Sequence, residues 1–484
     1  MRSACALLLL LLAAGCDRAD SGAPLVPRPA PVSDRWYAAP GRVWTPDDEM
    51  ARIAREEVPG FGGWYVDGQG RATARLKDVR GRAGAVLALR RSLAAARFAD
   101  GRGPSFDGMQ VAAARYGFDE LQAWRLALRG PVFDDRRTSF LDIDETRNRI
   151  VIGVADGAAG GRMLAAAARL HVPPDAVATQ LTPIACALAA GCPPPDGSGT
   201  GGGTASPGQP DQDLVNNRPG YLDGEAGTII AGYQVYHDRD PATGQASVCT
   251  LGVNAQVDFS NGTLDGFFTA SHCTQKLFAS DGTEFFQGAQ DAGYEGWDRG
   301  TFDYDATTAC WIQQRCRWSD AAFVKYNTGV AWQRGYVARA TSRSVFGGAV
   351  RTVGGRYTIN GYYSPPVAPP YFGQQLVKVG RTTGETAGRV VQTCIDVPNS
   401  FQSRWMTQPV AYRLLCQYQV DSTWADEGDS GAPVFAVQSG TDVWLYGLLW
   451  GQPNGLHNTY YFSGWYETVW GDMQTYPLFV RIRP

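Results

Sequence analysis

Apolar residues recur at helical spacing between Leu76 and Phe98 (Val79, Ala83, Val86, Leu87, Leu93), with arginines on the other face, which predicts an amphipathic helix. Asp119 to Leu128 predicts a second, shorter one. The runs Ser139–Ile143 and Arg149–Val154 flank the polar turn Asp144-Glu145-Thr146-Arg147-Asn148 and predict a β-hairpin. A helix follows from about Gly161 to Leu170, Pro173-Pro174 ends it, and Ala176 to Leu181 returns as a strand. Residues 35–190 thus read as an α+β region. Gly191 to Asn216, with Pro193-Pro194-Pro195 and Gly201-Gly202-Gly203, reads as a linker. From 217 to 484 the pattern changes to short apolar runs divided by Gly, Asp and Asn turns: Thr228–Tyr236, Ala321–Tyr326, Leu376–Val379, Arg389–Thr393, Val434–Val437 and Trp444–Trp450. That spacing predicts an all-β barrel or sandwich. Gly464 to Met473 predicts a short helix before a last apolar run, Leu478–Ile482.

Composition adds limits. The chain has 484 residues, 44% hydrophobic and 19% charged, enough for two or three domains with sizeable cores. A net charge of −3 argues against a nucleic-acid surface. Residues 1–16 read as an export signal, with Arg2 followed by the apolar stretch Ala6–Ala14, too short for a permanent membrane span. The signal ends in Ala13-Ala14-Gly15-Cys16, which resembles a bacterial lipobox and implies lipidation of Cys16 and a membrane-anchored precursor. The usual leucine sits one position early, at Leu12, and ordinary cleavage beside an incidental cysteine is the alternative. Residues 17–34 form a Pro/Ala-rich tether. Without Cys5 and Cys16, eight cysteines remain in four sequence-neighbouring pairs: Cys186/Cys192, Cys249/Cys273, Cys310/Cys316 and Cys394/Cys416. An even count in an exported chain reads as a disulfide framework. A metal is not expected, with no CxxC and only four histidines, nor is a cofactor. His171, at a helix end, reads as structural.

Two motifs carry chemistry. Gly428-Asp429-Ser430-Gly431-Ala432-Pro433 sets a serine on a glycine-flanked turn, and Thr269-Ala270-Ser271-His272-Cys273 sets a histidine beside a cysteine. Acyl transfer to serine needs a base, a group that orients the base, and donors for the oxyanion. Ser430 is the candidate nucleophile and His272 the base, while the N–H groups of Gly428 and Ser430 are the oxyanion donors. A Cys249–Cys273 bridge would pin the loop of His272. Asp320, leading directly into the apolar run Ala321–Val324, is the candidate orienter; Asp303 and Asp305, in a polar turn, are the alternatives.

These motifs resemble the trypsin/chymotrypsin family, with Ser271 in place of an alanine of its Thr-Ala-Ala-His-Cys signature. Lys378-Val379-Gly380-Arg381-Thr382-Thr383-Gly384, with Thr386-x-Gly388-x-Val390, is similar to the bacterial secreted branch of α-lytic protease and streptogrisins, as are Cys249-Thr250-Leu251-Gly252 and Gly266-Phe267-Phe268-Thr269. The resemblance implies a double β-barrel serine endopeptidase acting on proteins or peptides, made with an inhibitory pro-region cut away near the linker. It also implies that Arg381 pairs with Asp429 to hold the oxyanion loop. Two residues depart from the family pattern. Leu449 stands where a serine would support Asp320, leaving water or Ser319 to substitute, and Trp424 stands in the pocket-base segment. His457 is placed on a surface loop. The competing readings are a binding protein on a protease-like fold and an esterase of another fold; the His, Asp, Ser order counts against the latter.

Overall fold

The computed structural model describes residues 43–93, 106, 108–188, 219–239, 246–259, 262–298, 310, 315–344, 348–363, 369–401, 410–473 and 480–484. The signal, the tether and linker, and the residues Cys16, Cys192, Asp303 and Asp305 lie outside the described residues.

The first region alternates helix and strand. Helix α1 (Pro46–Arg52) starts at a capping box between Thr45 and Asp48. Strands β1 (Phe61–Val66), β2 (Ala72–Leu76) and β3 (Gln110–Ala113) form a three-stranded sheet. The predicted helix from Leu76 starts later, as α2 (Arg82–Leu93). Leu76 ends β2, and Asp78 caps a 3-10 turn over Val79–Gly81. Helix α3 (Phe118–Asp134) outruns its predicted end. The predicted hairpin forms as β4 (Thr138–Asp144) and β5 (Arg149–Val154), turning through Asn148 at φ 53°. Helix α4 (Gly157–Arg169) is capped by Asp156 and leads to β6 (Val177–Leu181), parallel to β5. His171 sits just past α4 at φ 57°. A three-residue strand, β7 (Ala185–Ala187), was not expected.

The second region is all β and holds two sheets. Its strands are β8 (Ile229–Ala231), β9 (Gln234–His237), β10 (Ser247–Thr250), β11 (Val253–Phe259), β12 (Gly262–Thr269), β13 (Glu284–Gln287), β14 (Gln290–Asp298), β15 (Cys316–Arg317), β16 (Ala322–Tyr326), β17 (Trp332–Ala340) and β18 (Val353–Tyr362). They continue as β19 (Gln375–Gly380), β20 (Gly384–Phe401), β21 (Val410–Asp421), β22 (Pro433–Ser439), β23 (Asp442–Pro453), β24 (Thr459–Gly464) and β25 (Val480–Arg481). One sheet runs β10-β9-β13-β14-β16-β12-β11-β25. In the other, β21-β24-β23-β22-β19-β20 closes on itself, because β20 also pairs with β21. Closure pairs the ring's strands with one another along most of their length, and only the outer parts of β20 and β23 stay open to further strands. The expected all-β double-barrel fold, preceded by an α+β region, is the one observed.

The expected run Thr228–Tyr236 splits into β8 and β9 at Gly232, whose φ of +94° and close approach to Val379 suit only glycine. The expected helix Gly464–Met473 is reduced to a π-helical turn at Glu467–Asp472. An apolar core shared by Val253, Phe267, Phe268 and Val324 of the first sheet with Val377, Val379, Phe435 and Leu445 of the closed ring joins the two.

The first region meets the second through backbone and charge. Leu141 of β4 pairs with Asp396 of β20, extending that sheet by β4, β5 and β6. Buried Arg129 donates from Nε to Asp396 at 2.7 Å, and Arg125 donates to the Cys394 carbonyl and to Asp47, each at 2.6 Å. Strand β7 crosses to β23, pairing Ala187 with Gly451, Cys186 with Gln452 and Ala185 with Pro453.

Candidate active site

The site lies where the two sheets meet. Strand β12 ends at Thr269 and gives way to a 3-10 turn, Ser271–Cys273, that carries His272. A disulfide joins Cys273 to Cys249 beneath it. Asp320 lies two residues before β16, which pairs with β12, so the strand pairing itself delivers the carboxylate to the histidine. Ser430 lies on the turn before β22.

The structure brings together the three residues the sequence singled out. His272 Nδ1 is 2.7 Å from Asp320 Oδ2, and its Nε2 is 2.7 Å from Ser430 Oγ. The His272 backbone N–H also donates to Asp320 Oδ1 at 3.0 Å, so both carboxylate oxygens face the same residue. That fixes the imidazole plane and keeps Nε2 toward the serine. All three are buried, Ser430 fully.

Gly428 (φ +87°) and Gly431 (φ +85°) shape the serine turn. A Cβ on Gly428 would lie 2.8 Å from Arg381 Cδ, and one on Gly431 2.3 Å from Thr269 Oγ1. Thr250 holds the turn from below: its Oγ1 donates to the Gly428 carbonyl and its N–H to the Ser430 carbonyl, each at 2.8 Å. Among the described residues, the N–H groups of Gly428 and Ser430 donate to no protein group, which leaves both free to meet an oxyanion.

The cation beside Asp429 is Lys378, not Arg381. Lys378 Nζ donates to Asp429 Oδ2 at 2.8 Å, with both side chains fully buried. Asp429 also accepts from the backbone N–H groups of Thr382 (3.0 Å) and Thr383 (3.1 Å), from Thr383 Oγ1 (2.5 Å) and from Asp426 N–H (3.2 Å). Burial pulls the Lys378 ammonium below its ordinary value, and Asp429 opposes that shift. The physical reason is direction. Lys378 lies two residues before Gly380 on β19, hence on the same face, and a Cβ at Gly380 would lie 2.3 Å from Asp429 Oδ1. Arg381 lies beyond the strand, and its Nη2 turns to Gln234 Oε1 at 3.4 Å.

Asp320 has a donor that sequence reasoning missed. Tyr412 Oη on β21 lies 3.4 Å from Asp320 Oδ2 and itself accepts from Asn399 Nδ2 at 2.6 Å. Burial first, and then the Asp320 carboxylate, push the Tyr412 hydroxyl well above its ordinary value, so it stays protonated. Ser319, offered as a substitute support, instead donates its Oγ to Asp472 at 2.5 Å. Ser463 Oγ accepts the Asp320 N–H at 3.1 Å and donates to Gln417, which also accepts from Trp450 Nε1. Leu449 is an ordinary buried strand residue whose carbonyl accepts from Gly431 N–H at 2.7 Å.

A second buried ion network flanks the catalytic loops. Arg317 reaches Asp298 at 3.0 Å and Asp472 at 3.4 Å. Asp298 accepts from Ser271 Oγ at 2.5 Å, and Asp472 accepts from the N–H groups of Trp318 and Ser319. Burial, which Arg317 opposes, pushes Asp298 up to about 6. The network thus grips the neighbours of His272 and of Asp320 at once.

Trp424 is buried, and its carbonyl accepts from Thr383 and Thr386. His457, half-buried, lies 3.5 Å from Asp426, whose carboxylate raises its pKa. Disulfides also join Cys310 to Cys316 and Cys394 to Cys416. Cys186 is disulfide-bonded. No described cluster of His, Cys, Asp or Glu could hold a metal ion.

No protein-family model matches the chain, and no curated protein sequence does either. Solved structures do match, at low identity. Thermobifida fusca protease A aligns at 16% identity over 53% of this chain and 100% of its own, with a TM-score of 0.31. A Nocardiopsis protease aligns at 20% identity over 53% of this chain and 100% of its own, with a TM-score of 0.32. A Cellulomonas bogoriensis chymotrypsin aligns at 18% identity over 53% and 99%, with a TM-score of 0.30. These are likenesses of fold; the chemistry rests on the geometry above.

Proposed function

We propose that the protein is a serine endopeptidase that cuts peptide bonds through an acyl-enzyme on Ser430. The observation that carries this reading is the His272 bridge, 2.7 Å to Asp320 on one nitrogen and 2.7 Å to Ser430 on the other. In the reaction His272 Nε2 takes the Ser430 proton as Oγ adds to the carbonyl carbon. Asp320 stabilises the resulting imidazolium, and the N–H groups of Gly428 and Ser430 receive the oxyanion. His272 then protonates the leaving amine, and water repeats the sequence to free the acid. Lys378, through Asp429, keeps the oxyanion turn in shape.

The first region acts as a pro-region that holds the enzyme latent. Its support is the run of β7 along β23 together with the complete burial of Ser430. Export as a precursor lipidated at Cys16, with the protease released to the periplasm or beyond by processing in the linker, completes the proposal. Disulfides suit an oxidising compartment, and no described helix is long and apolar enough to cross a membrane.

A fluorophosphonate probe tests the activity. After removal of the first region, the wild-type chain takes the label and Ser430→Ala does not. A processed chain that takes no label is a binding protein on a protease fold, and the proposal fails.

A further inference from the structure

We propose that Glu295 and Asp281 are positioning residues for His272: they share one proton in a buried clasp that holds the segment after the histidine closed, and loss of that proton frees the segment and stops acylation. This deepens the reading of Ser430 as nucleophile and rests on it.

The clasp closes residues 274–283 onto β14. Asp281 Oδ1 accepts from Thr283 N–H at 2.9 Å and from Thr283 Oγ1 at 2.5 Å. Asp281 N–H donates to Glu295 Oε2, and Glu295 N–H donates to the Thr283 carbonyl, each at 2.8 Å. Each carboxyl keeps one more buried oxygen, Asp281 Oδ2 and Glu295 Oε1. Among the described residues, no donor but the opposite carboxyl reaches either. Two ionised carboxylates are acceptors only, so a single proton between them satisfies both oxygens. An O–H···O⁻ bond of this kind is among the stronger ones.

The surroundings assign the proton to Glu295. Burial first, and then the hydrogen bond to Asp281, push the Glu295 carboxyl up to about 9. At Asp281 burial is outweighed by the hydrogen bonds from Glu295, from Thr283 and from the Lys276 N–H, which hold it below its ordinary value. Other charged groups nearby do not replace the proton. Asp298, farther along β14, adds repulsion and is itself bound by Arg317. Lys325 of β16 lies over the Tyr294 ring, and Lys276 and Glu284 are exposed.

The clasp acts on His272 through the segment it closes. Thr283 Oγ1 accepts from Gln275 N–H at 3.0 Å. Ser280 Oγ donates to the Asp298 carbonyl at 3.0 Å and accepts the Asp298 N–H at 2.7 Å. Phe278 N–H donates to Ser271 Oγ at 3.1 Å, and Ser271, which also donates to Asp298, opens the 3-10 turn that carries His272. Phe278 holds a φ of 60°, a conformation that a bulky residue keeps only when its surroundings impose it. Once the proton leaves to solvent, two carboxylates face each other in a site of low dielectric and repel. The segment then opens, and the turn loses the Phe278 N–H that braces Ser271.

The test follows the rate of fluorophosphonate labelling from about pH 6 to about pH 10.5, because that rate reports attack by Ser430 assisted by His272. The enzyme is made as the full chain and freed of its first region after folding. Wild type loses rate in alkali with an apparent pKa of about 9. Glu295→Gln, whose amide donates to Asp281 without titrating, labels like wild type at neutral pH and keeps its rate at least about one pH unit further into alkali. Asp281→Asn supplies the donor from the other side and shifts the limb in the same way. Glu295→Ala has no donor and slows labelling at neutral pH about tenfold. An alkaline limb that stays at the wild-type midpoint in both amide variants overturns the proposal, since a merely structural role would leave it there. Wild type that takes no label at any pH overturns the protease reading, and the positioning role with it.

Discussion

Lys378 Nζ donates to Asp429 Oδ2 across 2.8 Å with both side chains fully buried, so the residue next to the nucleophile is held by a lysine from β19. Such a pair adds little net stability, but losing one partner strands the other charge in a dry site at a cost of about 3–5 kcal/mol. Lys378→Met is therefore expected to lower unfolding free energy by about that amount and to depress kcat as the turn loosens. Urea denaturation checks the first effect, and single-turnover acylation the second. Adding Asp429→Asn should recover part of the stability.

Asp320→Asn should lower kcat by about 10⁴-fold with little change in KM, because the amide favours the wrong imidazole tautomer. Tyr412→Phe removes only a long third contact, so its loss should stay within about tenfold. Steady-state rates of both variants on one peptide substrate would check the two figures.

Arg317 neutralises two buried carboxylates, Asp298 and Asp472, on loops that carry the catalytic residues' neighbours. Arg317→Met should cost about 3–5 kcal/mol. Without Arg317 opposing burial, the Asp298 carboxyl should rise further, so the variant should be relatively more stable in acid. Thermal melts at pH 5 and pH 8 would reveal a larger gap between variant and wild type at pH 8.

Glu467 is buried and accepts from Tyr418 at 3.0 Å and Tyr363 at 3.1 Å, and burial pushes it up to about 7 from 4.5. A carboxyl raised on folding favours the folded state while protonated. Its contribution is complete below about pH 4.5 and is lost as pH rises through 7, an effect of about 3 kcal/mol. Glu467→Gln should keep the shape and abolish this component. The difference in unfolding free energy between wild type and variant should therefore change with pH between about 4.5 and 7, and a pH-independent difference would contradict the assignment.

Much of the site was legible because its chemistry is written locally. Gly428–Pro433 and Thr269–Cys273 carry their own turn and disulfide signals, and Asp320 opens an apolar strand. Lys378 was equally visible, inside the segment that drew attention to Arg381. Counting two residues back from Gly380 along the strand would have chosen it. Tyr412 left no such mark: it lies far along the chain and reaches Asp320 only because β21 closes the ring. Strand β7 was hidden for another reason. Three residues in the run Ile184–Leu188 are too short for a periodic signal, and only the exposed edge of β23 makes them a strand. Several strand lengths were understated, as at β20, where Arg389–Thr393 proved to be the middle of an 18-residue strand, while Thr228–Tyr236 was overstated.

The first region grips the second at two separated edges, β4 on β20 and β7 on β23. Either grip keeps the other within reach, at an effective concentration in the millimolar range for a short tether. A cut in the linker would leave both strands on the same fragment, so the severed fragment would behave as a bivalent ligand whose avidity outlasts the covalent link. Liberation would then be limited by destruction of that fragment and not by the first cut.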